Sequence, residues 1–160
     1  MRIVVAAVGR LKAGPDRELA GRYRDRAVKA GRTLGLRGPD IIEIRESRAR
    51  EAERRVTEEA IALVNAIPDN AIKVALDSRG QNSSSDAFAG RIRNWRDGGC
   101  QAVCFIIGGA DGLASGLLDN ADMNLAFGSA TWPHQLVRIM LIEQVYRAIT
   151  ILSCHPYHRD

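Results

Sequence analysis

The 160-residue sequence contains nothing close to the run of about 20 apolar residues that a membrane span requires. It also shows no secretory leader, since the apolar stretch 3–8 is too short and begins almost at Met1. Its three cysteines, Cys100, Cys104 and Cys154, are odd in number and not spaced as a disulfide framework, which suits reduced thiols and a cytoplasmic setting. Five prolines, no low-complexity run, no internal repeat and no linker-like stretch argue one domain spanning residues 1–160. Three common catalytic signatures are missing. There is no G-x-G-x-x-G after the first apolar run, no G-x-x-x-x-G-K-[ST] and no G-x-S-x-G, which sets aside a dinucleotide fold, a P-loop nucleotidase and a nucleophile-elbow hydrolase.

What is present is an alternation of short apolar runs with amphipathic ones. Residues 2–8, 40–45, 72–76 and 102–107 read as strands, and a fifth ends near Phe127. The run 102–107 (AVCFII) is wholly apolar and is expected at the centre of the sheet. Between them, Pro15 opens a helix with Asp16 and Glu18 in its first turn, 48–67 forms a second, and Ser84 or Ser85 caps a third that Asp97-Gly98-Gly99 stops. A short helix covers 113–120. The alternation predicts an α/β fold, a mostly parallel sheet with helices on both faces. The RAREAERR run beginning at Arg48 is mixed in charge and reads as a solvated face.

The stretch 123–146 organises the rest. A strand end and the tight loop Gly128-Ser129-Ala130-Thr131 lead into a helix opened by Pro133. On a helical wheel the helix is apolar nearly all round, with only Glu143, Arg147 and Thr150 as a polar stripe, and so needs cover on more than one side. A second subunit is expected to supply it. Arg138 falls inside the apolar arc, and a buried guanidinium requires a partner.

Ligands of open α/β sheets sit beyond the carboxyl ends of the strands. Three strands here end in small-residue loops, at 77–80, 108–112 and 128–131, that could cradle a flat polar cofactor; ordinary turn glycines are the competing reading. The tail from Ser153 to Asp160 (SCHPYHRD) holds a His-x-x-His pair beside Cys154, but no complete four-ligand metal set, so no metal is expected. An aromatic ring, an imidazole and a guanidinium there suit a lid over a nucleobase and its phosphate. The net charge of +4 is compatible with a polyanionic partner.

Taken together, Leu76-Asp77-x-Arg79-Gly80, Ile107-Gly108-Gly109-x-Asp111-Gly112, Thr131-x-Pro133-His134-Gln135-x-x-Arg138, Glu143-Gln144-x-Tyr146-Arg147-Ala148 and His155-Pro156-Tyr157-His158-Arg159 resemble the RlmH family. These are small SPOUT-superfamily methyltransferases acting on a pseudouridine of 23S ribosomal RNA. The resemblance implies S-adenosylmethionine as methyl donor, N3 of the pseudouridine as acceptor, the ribosome as partner, an obligate homodimer with its active site at the interface, and a C-terminal trefoil knot. It places the cofactor on Leu76, Gly108, Phe127, Gly128, Ser129, Ala130, Thr131 and Trp132. Arg138, Arg147, Tyr157, His158 and Arg159 would handle the substrate. A guanidinium would favour the deprotonated imide, and His158 or the terminal carboxylate would accept its proton. A non-catalytic RNA-binding module would instead keep the basic helices without the cofactor loops, and a metal-binding regulator would need only the His/Cys tail.

Overall fold

The computed structural model describes residues 1–157. The elements follow in the order β1 (Arg2–Val8), α1 (Pro15–Gly31), a 3-10 turn (Arg32–Leu34), β2 (Arg37–Ile44), α2 (Ala52–Ala66), β3 (Ile72–Asn82), α3 (Ser85–Asp97), β4 (Ala102–Ile107), α4 (Ser115–Asp119), β5 (Met123–Ala126) and α5 (His134–Leu152). The five strands lie in the order β2-β1-β4-β3-β5, and every pair is parallel. The wholly apolar β4 is central, buried at every position.

Because side chains alternate along a strand, each strand feeds two cores. Ile3, Val5 and Ala7 of β1 and Val103, Phe105 and Ile107 of β4 meet α1, α3 and α5 on one face. Val4, Ala6 and Val8, with Cys104 and Ile106, meet α2 and α4 on the other. Burial pushes the Cys104 thiol up to about 11, so it behaves as an apolar core residue. Ser84 caps α3 by accepting a hydrogen bond from the Ala87 N–H at 3.2 Å, a contact worth about 1 kcal/mol.

Three expectations from sequence are corrected. First, α5 finds its cover within its own chain. It packs between α1 and α3 against the sheet, and Leu141, Ile142, Val145 and Ile149 have no exposed surface. Each such side chain contributes about 1.5–3 kcal/mol on burial, so the apolar circumference is explained without a second subunit.

Second, the residues after Leu76 are not a loop leaving a finished strand. β3 continues to Asn82, and its ladder with β5 shifts register so that Leu76 and Gln81 both pair with Leu125. The intervening Asp77–Gly80 segment bulges, and Gly80 approaches β5 so closely that a Cβ there would lie 2.7 Å from the Asn124 carbonyl. Third, Pro133 is the N-cap of α5 rather than its first helical residue.

Candidate active site

The carboxyl ends of β3, β4 and β5, together with the segment that leads into α5, enclose a cavity of about 560 Å3. That is ample for a mononucleotide-sized ligand. Each wall has a local cause. The β4 end turns sharply at Gly108-Gly109-Ala110-Asp111-Gly112, closed by a hydrogen bond from the Gly112 N–H to the Gly109 carbonyl at 3.1 Å, with Gly112 at φ +83°. A Cβ on Gly108 would stand 2.5 Å from the Gly112 oxygen, so that position must be glycine for the turn itself to close.

The turn is held from outside the cavity. Arg55 of α2 forks onto Asp111 and also donates to the Ala49 and Arg50 carbonyls. The hydrogen bond from Arg55 holds the Asp111 carboxyl below the usual carboxylate range. Buried Glu59 accepts from the Ser47 N–H at 2.9 Å and packs where a Gly109 side chain would otherwise stand. The opposite wall closes through two more bonds, from the Gly128 N–H to Asn82 Oδ1 at 2.9 Å and from Trp132 Nε1 to the Phe127 carbonyl at 3.1 Å.

Of the residues that the resemblance assigns to the cofactor, Leu76, Gly108, Phe127, Gly128, Ala130, Thr131 and Trp132 line this cavity, and Ser129 does not. Gly80, part of the first small-residue loop, is also absent from the lining. Sequence reading missed Ile107, Leu125, His134 and Val137, which the strand ends and the first turn of α5 bring to the wall. The strand periodicity carried the signal for Ile107 and Leu125. For Arg55 the only signal was its place in a charged run.

The substrate-handling candidates fall elsewhere. Arg138 is 1% exposed. Its Nη1 donates to Glu43 Oε1 at 2.8 Å and its Nη2 to the Val8 and Gly9 carbonyls at 3.0 and 2.9 Å. Burial pushes this guanidinium below its ordinary value, with Glu43 opposing the shift. It thereby fastens α5 to the ends of β1 and β2, outside the cavity. Arg147 and Tyr157 come together near the other end of α5. Arg147 Nε and Nη2 and the Tyr157 hydroxyl all donate to Glu143 Oε1, at 3.0, 2.6 and 3.1 Å. The Arg147 guanidinium also lies 5.0 Å over the Tyr157 ring. Burial, the Tyr23 hydroxyl and the Glu143 charge all push the Tyr157 phenol up. Arg147 lies ten residues along α5 from Val137, which lines the cavity, about 15 Å along the axis. His158 and Arg159 lie outside the described residues. Among the described residues no group of three or more His, Cys, Asp or Glu is placed to hold a metal ion, and no helix is long and apolar enough to cross a membrane.

The fold is shared with known proteins. The structure superposes on a probable methylase family protein from Haemophilus influenzae with TM-score 0.54 and 11% identity, covering 99% of this chain and 70% of that one. A probable methyltransferase from Bordetella pertussis gives TM-score 0.51 at 13% identity, covering 92% and 95%. At those identities the likeness concerns fold alone. The family model described as a predicted SPOUT methyltransferase matches residues 1–158. Two relatives named ribosomal RNA large subunit methyltransferase H, from Bradyrhizobium sp. strain ORS 278 and Rhodopseudomonas palustris strain BisB18, are 59% and 57% identical over 159 residues. The match covers 99% of this chain and 98% and 99% of theirs. The chain belongs to the RlmH family of SPOUT methyltransferases, and its cofactor is S-adenosylmethionine.

The cavity fits that cofactor. Apolar side chains of Leu76, Ile107, Leu125, Phe127 and Val137 stand beside the backbone of two glycine-containing turns. Such a surface can sandwich an adenine ring and hydrogen-bond its edge. Gly128, at φ +97°, has no atom within 4 Å of where a side chain would begin, which leaves room over the backbone.

Proposed function

We propose that this chain methylates N3 of a pseudouridine in 23S ribosomal RNA of the large ribosomal subunit, in the cytoplasm, as a homodimer of single-domain subunits. The observation that carries the reading is the cavity at the carboxyl edge, in a chain whose full-length relatives are named for large-subunit ribosomal RNA methylation.

The cofactor supplies an electrophilic methyl group. The chain's residues must then do three things. Leu76 and the loop from Phe127 to Trp132 hold the adenosine part, with Gly108 shaping the turn beneath it. A cation must favour the imide anion, since N3 can attack only after losing its proton. A base must accept that proton, and His158 or the terminal carboxylate is the candidate. Arg147 and Tyr157 supply the cation and an aromatic platform.

Their separation from the cavity of their own chain, about 15 Å along α5 from Val137 to Arg147, favours an active site completed by the tail of a partner subunit. Trp132 and Leu136, 44% and 39% exposed beside the cavity, offer apolar surface to that partner. The dimer is supported by this split site, not by the burial of α5. A trefoil knot, with α5 drawn through the loops that form the cavity, accompanies the reading as a family feature. The bond from the Gly128 N–H to Asn82 Oδ1, which ties the two neighbouring segments, is compatible with it.

The test is mass spectrometry of ribosomal RNA from a strain lacking the gene. One methylated pseudouridine of the large subunit is expected to lose its methyl group, and to regain it when the purified protein and S-adenosylmethionine are added to the ribosomes. An unchanged methylation pattern overturns the assignment.

A further inference from the structure

A second cavity, of about 630 Å3, lies on the other side of the first turns of α5. Pro133, His134 and Val137 line the cofactor cavity, whereas Arg138 and Ile142 line this one, so the start of α5 is a wall common to both. Arg10 from the turn after β1 and Arg17 and Arg24 from α1 complete a lining of four arginines against one acid, Glu43.

The charge of this lining is not neutralised. Glu43 Oε1 is already engaged by Arg138 Nη1 and by the Leu11 N–H at 3.0 Å. Arg24 approaches Asp25 at 3.3 Å, but both side chains are largely exposed and the pair is screened by solvent. Arg10 and Arg17 make no side-chain hydrogen bond or ion pair among the described residues. Within the wall, the buried Nε–H of Arg138 finds no acceptor among the described residues. A concave surface with two unengaged guanidinium groups and a third held only by a solvent-screened pair concentrates field on whatever enters it. Guanidinium forks match the paired oxygens of a phosphodiester.

We propose that this arginine-lined cavity is a phosphate subsite that seats one phosphodiester of the RNA substrate while the reacting base reaches the neighbouring cofactor cavity. The inference rests on the ribosomal RNA reading for the identity of the ligand, and on the lining for its charge. Its position explains why the site lies here. A base turned toward the carboxyl edge leaves its backbone beside the start of α5, on the side away from the cofactor.

The experiment uses the full chain and a labelled fragment of large-subunit ribosomal RNA. R10Q, R17Q and R24Q are combined in one variant. A control carries R22Q and K29Q, on the same helix but outside the cavity. RNA binding is followed by fluorescence anisotropy over a salt series, S-adenosylmethionine binding by calorimetry, and methyl incorporation into ribosomes by radiolabel. The triple variant should keep its affinity for S-adenosylmethionine and lose about tenfold or more in RNA affinity. Its slope of log affinity against log salt should shrink by about one, as for one neutralised phosphate. KM for ribosomes should rise with kcat little changed. Unchanged RNA affinity and slope overturn the subsite, as does an equal loss in the control, which would mark diffuse charge. Inorganic phosphate should compete with the RNA for the wild-type protein and not for the triple variant. Phosphate binding that disappears in the triple variant without any loss of RNA affinity overturns the RNA assignment in favour of a small-anion site. A wild-type protein that binds RNA through these arginines but transfers no methyl group overturns the catalytic reading and leaves the subsite standing.

Discussion

Arg55 holds Asp111 with two parallel hydrogen bonds, Nε to Oδ2 at 2.7 Å and Nη2 to Oδ1 at 3.1 Å. This ties α2 to the turn that forms one wall of the cavity at the carboxyl edge. Neither side chain is more than a third exposed, at 28% and 31%. A bidentate fork fixes orientation as well as distance, so the pair is a positioning device for the 108–112 turn. Arg55→Ala should weaken S-adenosylmethionine binding by roughly tenfold, the scale of a lost positioning contact, with little change in thermal stability. Arg55→Lys should recover only part of it, because an ammonium cannot form the fork. Calorimetry on the two variants is the check, and wild-type affinity in Arg55→Ala would remove the pair from the site. The sign of the pH effect follows from Asp111. Its folded-state pKa is depressed, so the contact is fully present above the ordinary carboxylate value of 3.8 and is lost only as pH falls through the lower, folded value. Cofactor binding should not respond to this pair anywhere near neutrality.

Glycine is required at two places in the cavity wall for different reasons, and the difference is measurable. A side chain on Gly108 would collide with the Gly112 backbone, whereas one on Gly128 meets open space but must adopt φ +97°. Gly128→Ala should therefore cost about 1–2 kcal/mol of backbone strain and leave the turn after β4 intact. Gly108→Ala must displace that turn. Chemical denaturation together with calorimetry should show the larger loss of both stability and cofactor affinity in Gly108→Ala. The opposite ranking would mean that the turn yields freely.

Much of the fold was legible because its signals are local. The apolar run of β4 marks a central strand, Ser84 caps α3 through its own first turn, and the glycines after β4 end that strand at the cavity. What escaped depends on partners distant in the chain. Asp77-Ser78-Arg79-Gly80 has turn chemistry, yet β3 resumes because Gln81 and Asn82 find Leu125 and Ala126 on β5. Arg138 announced that it needed a partner but not that Glu43, 95 residues earlier, supplies it. Arg55 stands in a run that reads as a solvated face, and only the packing of α2 beside the 108–112 turn gives it Asp111. The apolar circumference of α5 states a need for cover. Which element provides that cover is a matter of topology, invisible in periodicity.

Removing Glu43 tests the role of Arg138 as a structural fastening. Glu43→Gln keeps an oxygen that can accept from Arg138 but leaves the buried guanidinium without its counter-charge, beside the neutral Val8 and Gly9 carbonyls. Breaking one side of such a pair costs about 3 kcal/mol, less where the carboxylate is partly exposed. Arg138→Met, of similar volume, removes the charge along with its desolvation penalty and should be the milder change. Urea denaturation of the two variants decides. A more stable Glu43→Gln than Arg138→Met would contradict the fastening role.

The Tyr157 phenol is pushed above its ordinary value of 10.0 by burial, by Tyr23 and by Glu143. A neutral phenol is therefore part of the docked tail. The sign runs opposite to that of Asp111. The contact is fully present below the ordinary tyrosine value and is lost as pH rises through the raised, folded value. Spectrophotometric titration should show one tyrosine ionising later than 10.0 in the wild type and none so delayed in Tyr157→Phe. Ordinary titration of every tyrosine would mean that the tail is not docked on α5.

Arg147 stands about 15 Å along α5 from Val137, a residue of that helix that lines the cavity, which makes the origin of the tail a decisive question. Deleting residues 157–160 should leave S-adenosylmethionine binding intact, because no residue of that segment lines the cavity among the described residues. Methyl transfer should nevertheless fall about a hundredfold, the usual scale of lost positioning. A second defect can be placed in the cavity alone. Ala130 is exposed and lines it, so Ala130→Trp fills the space without disturbing the core. Neither variant should methylate ribosomes well by itself. If the tail acts across a dimer, subunits mixed under exchange form one whole site per heterodimer, from the cavity of the tail-deleted chain and the tail of the Ala130→Trp chain. Radiolabelled methyl incorporation should then recover in the mixture. No recovery in a mixture shown to exchange subunits would place tail and cavity in one chain and require the tail to leave Glu143 before each turnover.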